Sequence, residues 1–406
     1  MVCHNSVTRQ SKPFARRVVA MCALAGVLAL SAGKAPACPP DDPVAKDAPA
    51  RVPTISIALL LDTSNSMDGL IGQAKAQLWN VVNRFRSCKR DGMKDGVAPV
   101  LRIALYQYGN SKLPQSSGYI EMVSPFTTDL DSLSEKLFGL QTEGGNEYCG
   151  AVIGRAAKEL AWGECPGDLN LIFIAGNEPF TQGDVPYAES IADGVRKKIR
   201  INTIHCGTYQ EGVDGKWRDG ATLGRGNYNV IDQSEDVRHI VTPYDDEISS
   251  LGVEVNTTYL AYGRDGEESQ VRQQEMDTKT KSGLPAPAAA GATVQRSIAK
   301  NSANYRNAHW DLVDAIKDGK VKLEELKQED APKELRGLTI VEQSKKVEEM
   351  RTRRVEINKR VAELNIQRET FLREQRKAGG KDTTLGAALL EAIDKQAKEE
   401  GWTLGE

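Results

Sequence analysis

The sequence is poor in aromatic residues, 6% of 406, and holds only four histidines and seven cysteines. No two cysteines form a C-x-x-C pair, which argues against a zinc ribbon or a thioredoxin-type redox site. The chain also lacks G-x-x-x-x-G-K-[ST], G-x-S-x-G and H-E-x-x-H, so the common nucleotide, hydrolase and zinc-protease signatures are missing. Its longest apolar run falls short of the ~20 residues that a membrane-spanning helix needs. Positive charge is not in excess either: 53 Lys+Arg stand against 56 Asp+Glu, a net charge of -3. Five of those bases and no acids lie in the first 37 residues, leaving 48 bases and 56 acids, a net of -8, in the remainder. An acidic chain does not read as a general nucleic-acid binder, whose affinity would come from phosphate neutralisation. The aliphatic content excludes wholesale disorder. At ~100–200 residues per domain, the length corresponds to two or three structural units.

What is present begins with an export pattern. A basic stretch ending in Arg16-Arg17 precedes the apolar run 18–30, and Ala35-Pro36-Ala37 fits an A-x-A cleavage site. Residues 1–37 therefore read as a signal peptide, with the mature chain expected to start at or near Cys38 in the periplasm or outside the cell. A lipid on Cys38 is the alternative to plain cleavage, although Ala35 stands where a lipobox usually has leucine. Outside the cytoplasm, Cys88, Cys149, Cys165 and Cys206 are expected to form disulfides, with three connectivities open. Buried, unpaired thiols are the alternative.

After a Pro/Asp-rich spacer at 38–53, strand-like and helix-like segments alternate. The nearly continuous apolar run 55–61 suits a strand buried on both faces. Leu70, Ile71, Ala74, Leu78, Val81, Val82 and Phe85 then recur at helical spacing. Further strands are expected at 101–108, 169–175 and 201–206, with helices near 129–140, 149–162 and 187–199. This alternation predicts a doubly wound, mostly parallel α/β sheet over 54–245. A helical extension is expected at 246–277, an Ala/Pro/Gly linker at 278–293, and a separable helical region without strands at 294–406. Within that region Met350, Ile357, Leu364 and Phe371 recur every seven residues, with Val347 and Val361 at the complementary position. Arg354 and Arg368 interrupt the second position. The seam fits a short coiled coil, and hence an oligomer through 340–377, or a long helix packed on its own protein.

Ligands of doubly wound sheets bind beyond the carboxyl ends of the strands. There, after the first strand, Asp62, Ser64 and Ser66 form D-x-S-x-S ahead of an amphipathic helix. One carboxylate and two hydroxyls from one turn are hard oxygen ligands of the kind Mg²⁺ takes, and magnesium tends to keep positions open for water or an incoming ligand. The same residues also suit a simple helix N-cap.

At this motif the chain resembles a von Willebrand factor type A domain, over residues 54–232. The resemblance implies a doubly wound fold with a metal-ion-dependent adhesion site whose first loop is Asp62, Ser64 and Ser66. It places Asn146 and Glu147, after Gly144-Gly145, at the second ligand loop, with Asn146 where the family has threonine. At the third loop Gly176 stands where the family has aspartate, so that ligand is absent, and Asn177 or Glu178 follow it. The segment 175–183 and the motif Trp310-Asp311-Leu312-Val313-Asp314-Ala315 also resemble exported bacterial proteins of this type with a helical C-terminal half.

The reading that follows is an exported, non-enzymatic, Mg²⁺-dependent module that binds a protein partner through that partner's carboxylate. It has no nucleic-acid role, and it touches a membrane only if Cys38 carries lipid. An envelope-associated structural component acting through its helices, with a vestigial metal site, is the second reading. A hydrolase is the third: a phosphotransferase with Asp62 as nucleophile needs a second aspartate where Ser64 stands. His205-Cys206 at a strand end is expected to be structural, because neighbours in a strand face opposite ways.

Overall fold

The computed structural model describes residues 52–90, 98–237, 239–376 and 384–404. The expected signal peptide and Cys38 lie outside them. The strands are β1 (Thr54–Asp62), β2 (Lys89–Arg90), β3 (Val100–Tyr108), β4 (Ile120–Thr127), β5 (Leu169–Gly176), β6 (Ile199–Cys206), β7 (Arg225–Ile231) and β8 (Trp402–Thr403). Six of them form one sheet in the order β4-β3-β1-β5-β6-β7, in which only β4 runs antiparallel to its neighbour. The doubly wound, mostly parallel, von Willebrand type A-like fold class expected from the sequence is therefore present. In β1, Ile55, Ile57, Leu59 and Leu61 enter one apolar cluster while Ala58 and Leu60 enter another on the opposite face. That two-sided burial is why the strand reads as an unbroken apolar run.

Two strands of this sheet escaped the sequence reading, and both border it. β4 contains Pro125 and is only partly buried, and β7 is the polar run Arg-Gly-Asn-Tyr-Asn-Val-Ile. Edge strands tolerate proline and need no continuous apolar pattern, so periodicity missed them.

The helices are α1 (Asp68–Arg84), α2 (Leu130–Gly139), α3 (Cys149–Glu159), α4 (Tyr187–Arg196), α5 (Tyr209–Asp214), α6 (Trp217–Leu223), α7 (Asp245–Glu254), α8 (Gly266–Ser282), α9 (Ala286–Lys300), α10 (Leu312–Lys317), α11 (Ile340–Arg376) and α12 (Leu385–Glu399). Helices α3, α4 and α6 cover one face of the sheet, while α1, α2, α9 and α12 build the other layer.

Four expectations are corrected here. The Ala/Pro/Gly segment 278–293 is not an extended linker. Its first part ends α8 and, after residues 283–285, the rest opens α9, whose proline in the first turn is compatible with helix because an N–H there has no intrahelical acceptor to lose. Nor is 294–406 a lobe apart. Helix α12 packs on α1 and β7, the Leu385 N–H donates to Gln73 Oε1 at 2.7 Å, and β8 pairs antiparallel with β2. That pairing also corrects the expectation of no strand after 294. Finally, Cys88, Cys149 and Cys206 are free, buried thiols, while Cys165 is disulfide-bonded outside the expected set, so no disulfide forms within that set of four.

The seam of α11 is used inside the chain. Val347, Met350, Ile357, Val361 and Leu364 are buried, and Leu372 rather than Phe371 continues the stripe. Arg354 and Arg368, the two apparent interruptions, are buried as well: Arg354 pairs with Asp311 and Asp314, and Arg368 with Asp245 at 3.0 Å. A coiled coil does not need these contacts, and a helix packed on its own protein does. Among the described residues no helix is long and apolar enough to cross a membrane.

Candidate functional site

The carboxyl ends of β1, β3 and β5 converge where the sequence placed its metal motif. Asp62 closes β1 and pairs in register with Tyr108 at the end of β3. The loop after it is held by backbone bonds: the Thr63 N–H donates to the Tyr108 carbonyl at 2.8 Å, and the Glu143 N–H donates to the Thr63 carbonyl at 2.9 Å. The Ser111 N–H donates to the Gly144 carbonyl at 2.8 Å, tying the second loop to the end of β3. These bonds bring residues 62–66 and 143–147 together, although more than 75 positions of sequence separate them.

Asp62 is fully buried, and its Oδ1 accepts the Ser64 N–H at 2.7 Å. The Ser64 and Ser66 hydroxyl oxygens lie 3.2 Å apart, with Ser64 buried and Ser66 exposed. Glu147 is buried, its backbone N–H donates to Gln182 Oε1, and its carboxyl group faces that of Asp62. Asn146 is exposed. Asp62, Ser64, Ser66 and Glu147 are thus brought to one place by the fold, and Asn146 flanks it from the solvent side.

The electrostatics of this pair are unfavourable without a cation. Burial pushes the Asp62 carboxyl up to about 6, against the hydrogen bonds it accepts. Burial, followed by the facing Asp62 charge, pushes Glu147 up to about 9. The charge of Glu178 raises both. Asp62 Oδ2 and Glu147 Oε2 are buried with no donor from the rest of the chain, and the two carboxyl groups lie within hydrogen-bond reach of each other. Two such oxygens facing each other hold a shared proton or a cation, and two ionised carboxylates side by side are disfavoured.

Gly176 and Gly109 shape the pocket. A Cβ built on Gly176 would sit 2.5 Å from the Tyr108 hydroxyl and 3.0 Å from Asp62 Oδ2. The Tyr108 hydroxyl is fixed there because it donates to the Ala175 carbonyl at 2.9 Å. The aspartate that the family resemblance places at 176 therefore has no room, and Tyr108 occupies its space. Gly109 has φ +78°, and a Cβ there would meet Glu147 Cγ at 2.6 Å. Neither role of Tyr108 was legible in the sequence, where it reads as one more strand residue. We expect Gly176→Asp alone to destabilise the protein by about 1–3 kcal/mol, as overpacked sites do. Adding Tyr108→Phe should recover part of that loss in thermal unfolding; no recovery would mean that the hydroxyl is not the obstacle.

The residues present fit a hard divalent cation. Two orphaned buried carboxylate oxygens lie beside two adjacent hydroxyls, an all-oxygen donor set. Among the described residues no group of three or more His, Cys, Asp or Glu side chains converges into a metal cage. Such a cage is not what one carboxylate loop plus hydroxyls builds. His205, next to last in β6 and paired in register with Gly176, packs its ring on Trp217 at 5.7 Å, beside the free thiol of Cys206.

No family model matches the sequence, and no characterised protein matches it in sequence. Among solved structures, the chain is similar to the conserved hypothetical protein BatB from Bacteroides thetaiotaomicron, with 16% identity over 44% of this chain and 91% of that one, at a TM-score of 0.32. A von Willebrand factor type A protein from Catenulispora acidiphila matches with 13% identity over 45% of this chain and 40% of that one, at 0.33. Proximal thread matrix protein 1 of the mussel byssus, described with a zinc-occupied metal-ion-dependent adhesion site, matches with 13% identity over 44% of this chain and 42% of that one, at 0.32.

Proposed function

We propose that this chain is a non-enzymatic protein-binding module that takes a divalent cation, Mg²⁺ first among them, at Asp62, Ser64, Ser66 and Glu147, with Asn146 at the rim. The observation that carries the reading is the pair of buried carboxyl groups, Asp62 and Glu147, within hydrogen-bond reach of each other at the carboxyl end of the central strand. A bound cation supplies an open coordination position for an acidic group of the partner. Within the chain, Asp62 and Glu147 supply the negative charge, Ser64 and Ser66 the neutral donors, and Tyr108 fills the place of a third carboxylate. The small set of charged ligands makes modest affinity the expectation. Export, with a mature start at or near Cys38 and possible lipid attachment there, is part of the same reading and rests on the N-terminal pattern alone. The envelope-component reading loses ground because the seam of α11 is buried against its own chain.

Proton release makes the proposal testable by pH. Both carboxyls have folded values above their ordinary ones, 3.8 for Asp62 and 4.5 for Glu147. The stability they contribute is therefore fully present below about pH 4 and is lost as pH rises through about 6 and then about 9. Metal-free protein should lose thermal stability across that window, and Glu147→Gln should raise the midpoint at about pH 8 by about 1–2 °C, the shift that about 1 kcal/mol gives in a chain of this size. Saturating Mg²⁺ should flatten the wild-type decline, and cation affinity should rise with pH as protons are displaced. A Mg²⁺ titration showing neither effect would remove the cation from the proposal.

A further inference from the structure

The amino ends of the central strands, opposite the cation site, carry a covalent bond. Cys165 lies in the loop between α3 and β5, is 7% exposed and is disulfide-bonded. The chain has seven cysteines, of which Cys88, Cys149 and Cys206 are free thiols. The partner of Cys165 is therefore Cys3, Cys22 or Cys38. Cys3 and Cys22 fall inside the segment 1–37 that the export reading removes, which leaves Cys38.

The contacts around Cys165 bring the start of the sheet to it. The Cys165 N–H donates to Asp168 Oδ2 at 3.1 Å, and the Thr54 N–H donates to the other oxygen of the same carboxylate at 2.8 Å. The next residue, Ile55, pairs in register with Leu169, so β1 enters the sheet beside the Cys165 loop. One carboxylate thus holds both the first residue of β1 and the loop that carries the cysteine. Only 16 positions separate Cys38 from Thr54. A segment of that length spans up to ~55 Å when extended, far more than a return to Cys165 needs. The other end of β1, with Asp62, is ~26 Å away at the usual rise of a strand.

We propose that Cys38 and Cys165 form a disulfide that pins the mature N-terminus beside the start of β1, at the pole opposite the cation site. The inference rests on the export reading for the removal of residues 1–37. In forming the S–S bond the two thiols give up two protons and two electrons. Their acceptor is the disulfide of a thiol oxidant in the compartment the chain enters, which leaves as a dithiol. A sulfur bonded in this way cannot carry a thioether-linked lipid, so the bond decides between the two forms of Cys38 that the sequence leaves open. The attachment point is remote from Asp62, so cation binding does not depend on it.

The test expresses the full precursor, recovers the exported protein and alkylates its free thiols with iodoacetamide in denaturant without reduction. Tryptic mapping by mass spectrometry should then find peptide 38–46 joined to peptide 159–196 until a reductant is added, with Cys88, Cys149 and Cys206 alkylated. Cys38→Ser and Cys165→Ser should each lower the thermal midpoint by about 2–8 °C, as loss of a disulfide does in a large chain. The double variant should fall no further, because both substitutions break one bond. Mg²⁺ affinity should be the same in all four proteins. Additive losses, unmoved midpoints, or an alkylated Cys165 in unreduced protein that starts at Cys38 overturn the proposal and leave the export reading intact. Cys165 joined to Cys3 or Cys22, in a chain that keeps its first 37 residues, overturns the export reading and with it the choice of Cys38. A diacylglycerol mass on Cys38 overturns the disulfide and selects the lipid-bearing form.

Discussion

Arg354→Ala is expected to lower the unfolding free energy by about 3–5 kcal/mol, measured by urea denaturation, because it strips the partner from a buried charge. The guanidinium of Arg354 sits 2.6 Å from Asp311 and 2.9 Å from Asp314, and Asp311 is fully buried. Its remaining donors reach the Thr258 carbonyl at 2.6 Å and the Thr258 hydroxyl at 3.0 Å, and its plane lies 4.1 Å over the Tyr259 ring. These contacts join α11, α10 and the segment before α8 in one node. Arg354→Lys should recover little of the loss, because a compact ammonium cannot satisfy a planar fork and stack at once. Coupling Arg354→Met with Asp311→Asn should be milder than Arg354→Ala, since the uncompensated charge is then gone. An Arg354→Ala protein as stable as wild type would show that α11 is held by its apolar seam alone.

The second large effect is functional. Asp62→Ala should reduce Mg²⁺ affinity by about 100-fold or more in calorimetry, the upper end of what even outer-shell changes at metal sites cause. Capture of an acidic protein partner should fall with it and should be lost in EDTA. The substitution frees the Ser64 N–H from its 2.7 Å bond, a cost of about 1 kcal/mol, but it also removes a buried carboxyl that folding holds above its ordinary range. The two changes oppose each other, so the thermal midpoint near neutral pH should move little. Because Asp62 is buried rather than carried on an exposed loop, tolerance of the substitution rests on this balance and not on surface position. Capture that is equally strong in EDTA and in the Asp62→Ala protein would direct attention away from this site.

Much of this was open to reading from residue order, and the limits have physical causes. β1 and β5 were legible because strands buried on both faces are almost wholly apolar, as Ile55 to Leu61 and Leu169 to Ala175 are but for Ser56 and Asn170. β4 and β7 were not, because edge strands carry no such constraint. Residues 278–293 misled because alanine, glycine and proline suit linkers and helix starts alike, and only the packing of α9 against α1 and α7 selects helix. The free thiols of Cys88, Cys149 and Cys206 show the same limit: an even cysteine count says nothing of distance.

For the site, the sequence by itself determined that Asp62, Ser64 and Ser66 leave one turn together, since spacing within a loop is local. It also determined that Gly176 brings no carboxylate. Only the tertiary structure decided that Glu147 faces Asp62, that Tyr108 fills the space above Gly176, and that Arg354 and Arg368 are buried partners rather than gaps in a seam. Those relations join residues from 40 to 123 positions apart, as from Asp314 to Arg354 and from Asp245 to Arg368. Residue order fixes what a segment buries; which distant segment buries it is set by how the sheet and its helices close on each other.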